Sequence, residues 1–284
     1  MNTTTSNFQS GAVGKTQRRN TWFWLLLVLL VFLLFFTPFR TTVLILGIDR
    51  VPDGTWAGRS DTMILASLPP GLPLFSLLSI PRDLWVVTPA NGENRINTAH
   101  YFAELEKPDT GMAAAGQVVE NNLGVNVNHV IRIKFEGFID VIDAMGGIDI
   151  NLPVDMSGLT AGTHHFTGTE ALRFVRDRAG SDDFFRQQRG QMVITAISRK
   201  MLNPLNWVRV PSVVIATIRS VQSNIPFWVI PRLIYASLFS AVYGLDAHTF
   251  DRDMTTSWTT DAGAQVLLPN WEKINPLLYQ LFRQ

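Results

Sequence analysis

No cysteine occurs in the 284 residues. Disulfides, thiolate metal sites and a cysteine nucleophile are therefore excluded, although this leaves the compartment undetermined. Net charge is also nearly absent: 24 Lys and Arg against 23 Asp and Glu leave +1, without the basic excess that bulk nucleic-acid binding usually shows. The five histidines (100, 129, 164, 165 and 248) contain no H-x-x-x-H or similar spacing, which argues against a zinc site. Ser60 and Ser79 lack a recognisable triad arrangement, so a serine hydrolase is not supported. One local absence is the most informative. Residues 173–189, "RFVRDRAGSDDFFRQQR", hold five arginines and three aspartates without a single lysine.

What is abundant is a single apolar run. Fifteen uninterrupted apolar residues extend from Trp22 to Phe36, followed by Thr37, Pro38 and Phe39. A helix of about eighteen residues spans about 27 Å, close to the hydrocarbon thickness of a bilayer. Lys15, Arg18 and Arg19 precede the run and no acidic residue does, so the positive-inside rule predicts a cytoplasmic N-terminus. The run ends in Phe-Phe-Thr-Pro-Phe-Arg rather than a small-x-small cleavage site, which favours an uncleaved anchor over a signal peptide. The expected organisation is a cytoplasmic tail over 1–20, a transmembrane anchor over 21–39 and an extracytoplasmic domain beyond. A second apolar stretch, 225–245, is interrupted by Pro226, Pro231 and Arg232 and reads more readily as a buried or interfacial helix than as a second span.

Beyond the anchor, "TTVLILGID" (41–49) reads as a buried strand delivering Asp49 at its end, and "SDTMILASL" as a second strand with Asp61 at its start. "LFSLLSIPRDLWVV" reads as a third, interrupted by Pro81 beside Arg82 and Asp83. A helix is expected to follow from "NRINTAHYFAEL" (94–105), with others over 111–124 with a Gly124 cap and over 136–147, where Phe138, Val141, Ile142 and Met145 recur at helical spacing. "HVIRIKF" and "IDINLPV" read as strands, "THHFTG" (163–168) as a turn, and residues 186–202 as a helix ended by Asn203-Pro204. Alternating elements predict an α/β or α+β fold, a single layered domain with a central mixed sheet flanked by helices. Its core runs over 41–202, and 203–284 completes the same domain.

Arginine alone, in such density, suits planar and bidentate recognition of phosphate oxygens, though a salt-bridged surface segment has the same composition. Asp49 and Asp61, at facing strand ends, could share a hard cation such as Mg²⁺, while strand-end aspartates also serve as caps. Arg82 and Asp83 could form a purely structural pair.

Taken in order, "LILGIDR", "RSDTMILASL", "LLSIPRDLWV", "RINTAH", "VIRIKFEGFIDVIDAMGGIDINLP" and "ALRFVRDR…DDFFRQQR" resemble the LytR–CpsA–Psr family of bacterial cell-envelope proteins, from about Thr41 to Leu202. The resemblance implies a membrane-anchored phosphotransferase that moves a glycopolymer from a polyprenyl-pyrophosphate carrier to a peptidoglycan hydroxyl, with no nucleic acid involved. It implies that Asp49 and Asp61 hold Mg²⁺, and that Arg82, Arg176 and Arg178 bind the pyrophosphate. Arg186 would complete the basic rim, with Asp183 nearby, and Arg59 would face the same pocket. Asp177, Asp182 and Asp183 would fix the arginines, while Arg173 reads as surface structure. Many relatives read R-x-x-R-Q, whereas here Gly190 follows Arg189, so a glutamine contact to the ligand is not expected in that form. The carrier's lipid tail requires an apolar slot, for which 211–218 and 225–245 are candidates. Hydrolysis of the same lipid pyrophosphate, or non-catalytic binding of an envelope polymer, stands as the alternative.

Overall fold

The computed structural model describes residues 21–29, 39–49, 51, 55–89, 92–177 and 183–282, the side chains of 183–188 excepted. Residues 21–29 form a helix (α1) whose residues are all exposed. Among the described residues no helix is long and apolar enough to cross a membrane. The expected tail (1–20) and the remainder of the apolar run (30–38) lie outside them.

The chain continues through β1 (Thr41–Asp49), β2 (Arg59–Leu68), β3 (Ser76–Ser79), β4 (Trp85–Thr88), β5 (Gly92–Arg95), α2 (Thr98–Glu106) and α3 (Gly111–Leu123). Next come β6 (His129–Lys134), α4 (Phe135–Ala144), β7 (Ile148–Leu152), β8 (Gly162–Phe166), α5 (Gly168–Arg176) and α6 (Asp183–Leu202). The last part holds α7 (Val210–Ser220), β9 (Val221–Ser223), α8 (Ile230–Tyr243), β10 (Asp246–Thr249), β11 (Thr255–Thr259), β12 (Gln265–Pro269) and α9 (Trp271–Phe282). A six-stranded mixed sheet in the order β10-β3-β2-β1-β6-β9 forms the centre. β1 runs antiparallel to β2 and parallel to β6.

β1 is buried on both faces, which is why it reads as a continuous aliphatic run rather than an alternating one. Leu44, Leu46 and Ile48 pack with Met63 and Leu65 beneath α3 and α9, through Val118, Val119, Ile274 and Leu278. Val43 on the opposite face joins Ile64, Ala66 and Leu77 against Ala236 of α8 and Ile194 of α6. A third cluster lies under the β7–β8 hairpin, where Ile148, Ile150 and Phe166 meet Phe174 of α5 and Val193 of α6.

Two expectations are corrected. The strand expected through Pro81 is two strands: β3 stays in the central sheet, and β4 pairs instead with β5, because the proline ends the first ladder. "THHFTG" is not a turn. Residues 162–166 pair with β7, and on the exposed face His165 Nδ1 lies 2.7 Å from Asp149 Oδ1 across the hairpin.

Arg132 of β6 is fully buried. It donates to Glu104 of α2, to Gln222 of β9 at 2.6 Å and to Asp109 at 2.9 Å, and its guanidinium lies 4.5 Å from the Trp56 ring. His100 Nε2 accepts from Arg132 at 3.2 Å, and its Nδ1 contacts the Gly58 carbonyl at 3.0 Å. This network braces the segment that leads into β2. Arg132→Met strands the buried Glu104 carboxylate and is expected to cost about 3–5 kcal/mol, whereas Arg132→Met with Glu104→Met should recover most of that. Urea titrations of the three proteins measure it.

The same network makes stability depend on pH. Burial, together with the Arg132 charge, holds the His100 pKa below its ordinary value. The folded state therefore binds fewer protons than the unfolded one between those two pKa values. Stability is complete above the unfolded pKa, about 6.5, and falls as pH drops below it. Burial also opposes the Glu104 charge, but hydrogen bonds from Gly111, Arg132 and Asp109 outweigh it and lower that pKa, so loss continues into the acid range. Denaturant midpoints at pH 7 and pH 5.5 should differ in this sense, and a smaller difference is expected in His100→Asn.

Candidate active site

β1 and β2 shift register through a bulge near the end of β1. Gly47 pairs with Thr62 and Ile48 with Ser60, so Asp61 is the extra residue, and such an insertion re-aims its side chain. The two strands approach closely there: a Cβ on Gly47 would lie 3.0 Å from Thr62 Cβ and 3.4 Å from Phe135 Cε1. Gly58 passes against the Asp49 carbonyl, where a Cβ would stand at 2.6 Å. Glycine at both positions lets the strand ends and the intervening segment close up.

Each aspartate meets an arginine. Arg82 NH1 lies 3.0 Å from Asp61 Oδ1, and its Nε lies 3.2 Å from Asp83 Oδ2. Burial works against the Arg82 charge, but Asp61 and Asp83 together outweigh it and raise the pKa further. Arg176 reaches across from α5: its NH2 lies 3.0 Å from Asp49 Oδ2, and its guanidinium lies 4.9 Å from the Phe135 ring centre. Arg59 stands opposite Asp49 in the β1–β2 register and its guanidinium lies 6.0 Å from the Tyr101 ring, at the rim. Asp61, Thr62, Ser79, Pro81, Arg82, Val175 and Gly190 line a small cleft.

Arg95 belongs to this cluster although no role was assigned to it within "RINTAH". Its Nε lies 3.2 Å from Asp83 Oδ1, extending an alternating chain Asp61–Arg82–Asp83–Arg95. The β4–β5 pairing sets Arg95 opposite Trp85, just beyond Asp83, a neighbourhood that the sequence alone did not signal.

The arginine cluster divides. A capping box of Thr167 and Glu170 starts α5, Arg176 is its last residue, and Asp177 caps it in an extended conformation. Arg173 is exposed on α5 and lines a separate cleft with His164, His165, Glu170 and Asp177. Arg189, on α6, is buried and donates to the Asp177 carbonyl at 2.5 Å, pinning the C-cap of α5 beside Arg176. Arg178 and Asp182 lie outside the described residues, as do the side chains of Asp183 and Arg186. Gly190 contributes backbone alone to the cleft, and the side-chain amide of the neighbouring Gln191 donates to the His248 carbonyl at 2.9 Å and lies 3.5 Å from Ser79 Oγ.

The carboxylate pair suits a hard cation. Among the described residues no group of three or more His, Cys, Asp or Glu could hold a metal ion. Two carboxylates are nonetheless a sufficient protein contribution for Mg²⁺, which keeps water and phosphate oxygens in its remaining positions. A carboxylate has about four acceptor sites, so an arginine on one oxygen is compatible with a cation on the group.

Known proteins resemble this chain in sequence and in fold. A teichoic acid transferase of Bacillus cereus, polyisoprenyl-teichoic acid–peptidoglycan teichoic acid transferase TagU, is 33% identical over 191 residues, covering 65% of this chain and 60% of the relative. The chain thus spans well under two thirds of that relative's length. The fold matches TagV of B. subtilis with a TM-score of 0.69 at 24% identity, covering 86% of this chain and 98% of that one. It also matches TagT bound to LI-WTA, with a TM-score of 0.67 at 24% identity over 85% and 89%. The model of the LytR_cpsA_psr family matches residues 39–272, and since that span takes in the whole sheet, the bulge and the arginine cluster, the chain belongs to this family.

Proposed function

We propose that the protein is a membrane-anchored, Mg²⁺-dependent phosphotransferase that moves a glycopolymer from a polyprenyl-pyrophosphate carrier to a peptidoglycan hydroxyl outside the cytoplasmic membrane. The observation that carries this reading is the convergence of two Asp–Arg pairs, Asp61–Arg82 and Asp49–Arg176, at the bulged end of the β1–β2 pair. The relative's transferase name and the LI-WTA bound to TagT support the substrate class.

In this reading the carrier's pyrophosphate displaces the arginines from the carboxylates. The acceptor hydroxyl attacks the phosphorus that bears the glycan, and its proton passes through water to the departing polyprenyl phosphate. The bridging P–O bond breaks, polyprenyl monophosphate leaves, and a phosphodiester joins glycan to peptidoglycan. Arg82 and Arg176 stabilise charge on the bridging and equatorial oxygens, and this electrostatic work is the main task in phosphoryl transfer. A guanidinium keeps its charge whatever its burial, which suits the partly buried Arg82 as well as the exposed Arg176. Mg²⁺ held by Asp49 and Asp61 would supply Lewis-acid neutralisation of the pyrophosphate. Phe135 and the Asp177–Arg189 contact keep Arg176 aimed at the site.

Binding tests the reading directly. Farnesyl pyrophosphate with Mg²⁺, at a hundred times its Kd, should stabilise the full chain in detergent by about 2.7 kcal/mol. The shift in melting temperature should vanish in Arg82→Met. A response retained in that variant would place the pyrophosphate elsewhere.

A further inference from the structure

The end of the sheet opposite the site is closed by α8. At its start, Arg232 is buried and donates to Thr41 Oγ1 at 2.7 Å, to the Phe39 carbonyl at 3.2 Å and to the Pro69 carbonyl at 3.4 Å. Further along, Ser240 Oγ accepts from the Phe75 backbone at 2.9 Å. Thr41 pairs with Leu68, and Ser67 with Ser76. α8 therefore crosses beneath the ends of β1, β2 and β3 at the point where the chain leaves the apolar run of residues 22–36. Asp49 lies eight residues further along β1, about 26 Å away at the usual strand rise.

The outer surface here is apolar. Phe227 is 77% exposed, Leu72 of the β2–β3 turn 61%, Trp228 56% and Ile234 55%, with Phe39 and Ile230 beside them. Water-facing Trp and Phe next to aliphatic side chains are characteristic of a helix lying in a membrane interface. Charge points to the same occupant. No Asp or Glu occurs from residue 199 to residue 245, a stretch with five Lys and Arg of which Arg232 is buried. Arg40, anchored to Ser67 Oγ at 2.6 Å, adds a cation at this end. The nearest acidic group in sequence, Asp246, is paired with His248 at 2.6 Å.

We propose that α8 and its preceding loop form a platform that rests in the interfacial layer of an anionic bilayer, seating the domain directly on the membrane rather than on a free tether. This rests on the extracytoplasmic, membrane-attached reading above, and it fixes the phosphate-binding end roughly one strand length above the lipid surface.

The absence of native cysteine makes the test clean. Single nitroxide labels at Leu72→Cys, Phe227→Cys and Ile234→Cys are compared with Leu105→Cys, a similarly exposed position (56%) on α2, using the full chain in nanodiscs containing phosphatidylglycerol. Labels at 72, 227 and 234 should favour collision with oxygen and be about tenfold less accessible to a nickel chelate than the label at 105, as expected for side chains sunk into the headgroup–acyl boundary. Water-like accessibility equal to that at 105 overturns the proposal. Exclusion of both reagents also overturns it, since a second copy or another protein then covers the face. Lipid contact without transferase activity removes the functional reading alone, and transfer activity with water-exposed labels removes this inference alone.

Discussion

Asp61→Asn is expected to cut Mg²⁺-dependent turnover about a hundred-fold or more, because the variant loses a charged hard-oxygen ligand where metal assistance supplies several kcal/mol. The fold should survive. Asp61 is the inserted residue of a bulge, it is partly exposed, and asparagine keeps its shape and one acceptor for Arg82. Removing an ion pair of that exposure changes stability by about 1 kcal/mol or less. Activity measured against Mg²⁺ concentration, beside a melting curve, separates the two effects. Full turnover at a concentration that just saturates the native protein would assign the carboxylates to structure.

Arg176→Lys gives the second large effect. The Arg176 guanidinium both reaches Asp49 and stacks on Phe135, and lysine retains charge but neither the fork nor the flat face. Losing a charge-assisted contact to the transition state costs about 2–4 kcal/mol, or about thirty- to a thousand-fold in rate. Arg173→Lys, one helical turn earlier and directed into a different cleft, should remain near the native rate. Equal behaviour of the two variants, harmless or unfolding, would make the whole cluster a structural segment.

The central strand was legible because β1 is buried on both faces and so uniformly aliphatic. Gly124 marked a helix end because a left-handed φ of 66° is required there. The bulge was not legible: "RSDT" contains no sign of which residue is inserted, since that depends on the close passage of Gly47 over Thr62. Arg132 was not legible as a buried cation: in β6, Val130 and Arg132 are buried while Ile131 and Ile133 are only partly so, and the cation is accommodated by partners from α2 and β9. Arg189 was visible as part of the arginine cluster, but its burial against Asp177 and Phe174 depends on how α6 packs against α5. Residues of the site were thus readable as types in order, whereas their pairing arose from contacts between elements up to 127 positions apart.

The most direct measurement uses a polyprenyl-pyrophosphate-linked glycan labelled on the phosphorus next to the sugar, incubated with the full chain, Mg²⁺ and a peptidoglycan fragment. Label should move to the peptidoglycan, with one polyprenyl monophosphate released for each glycan coupled. Label released as free glycan phosphate at the same rate, or a carrier left unconsumed, would contradict transfer as the function of this site.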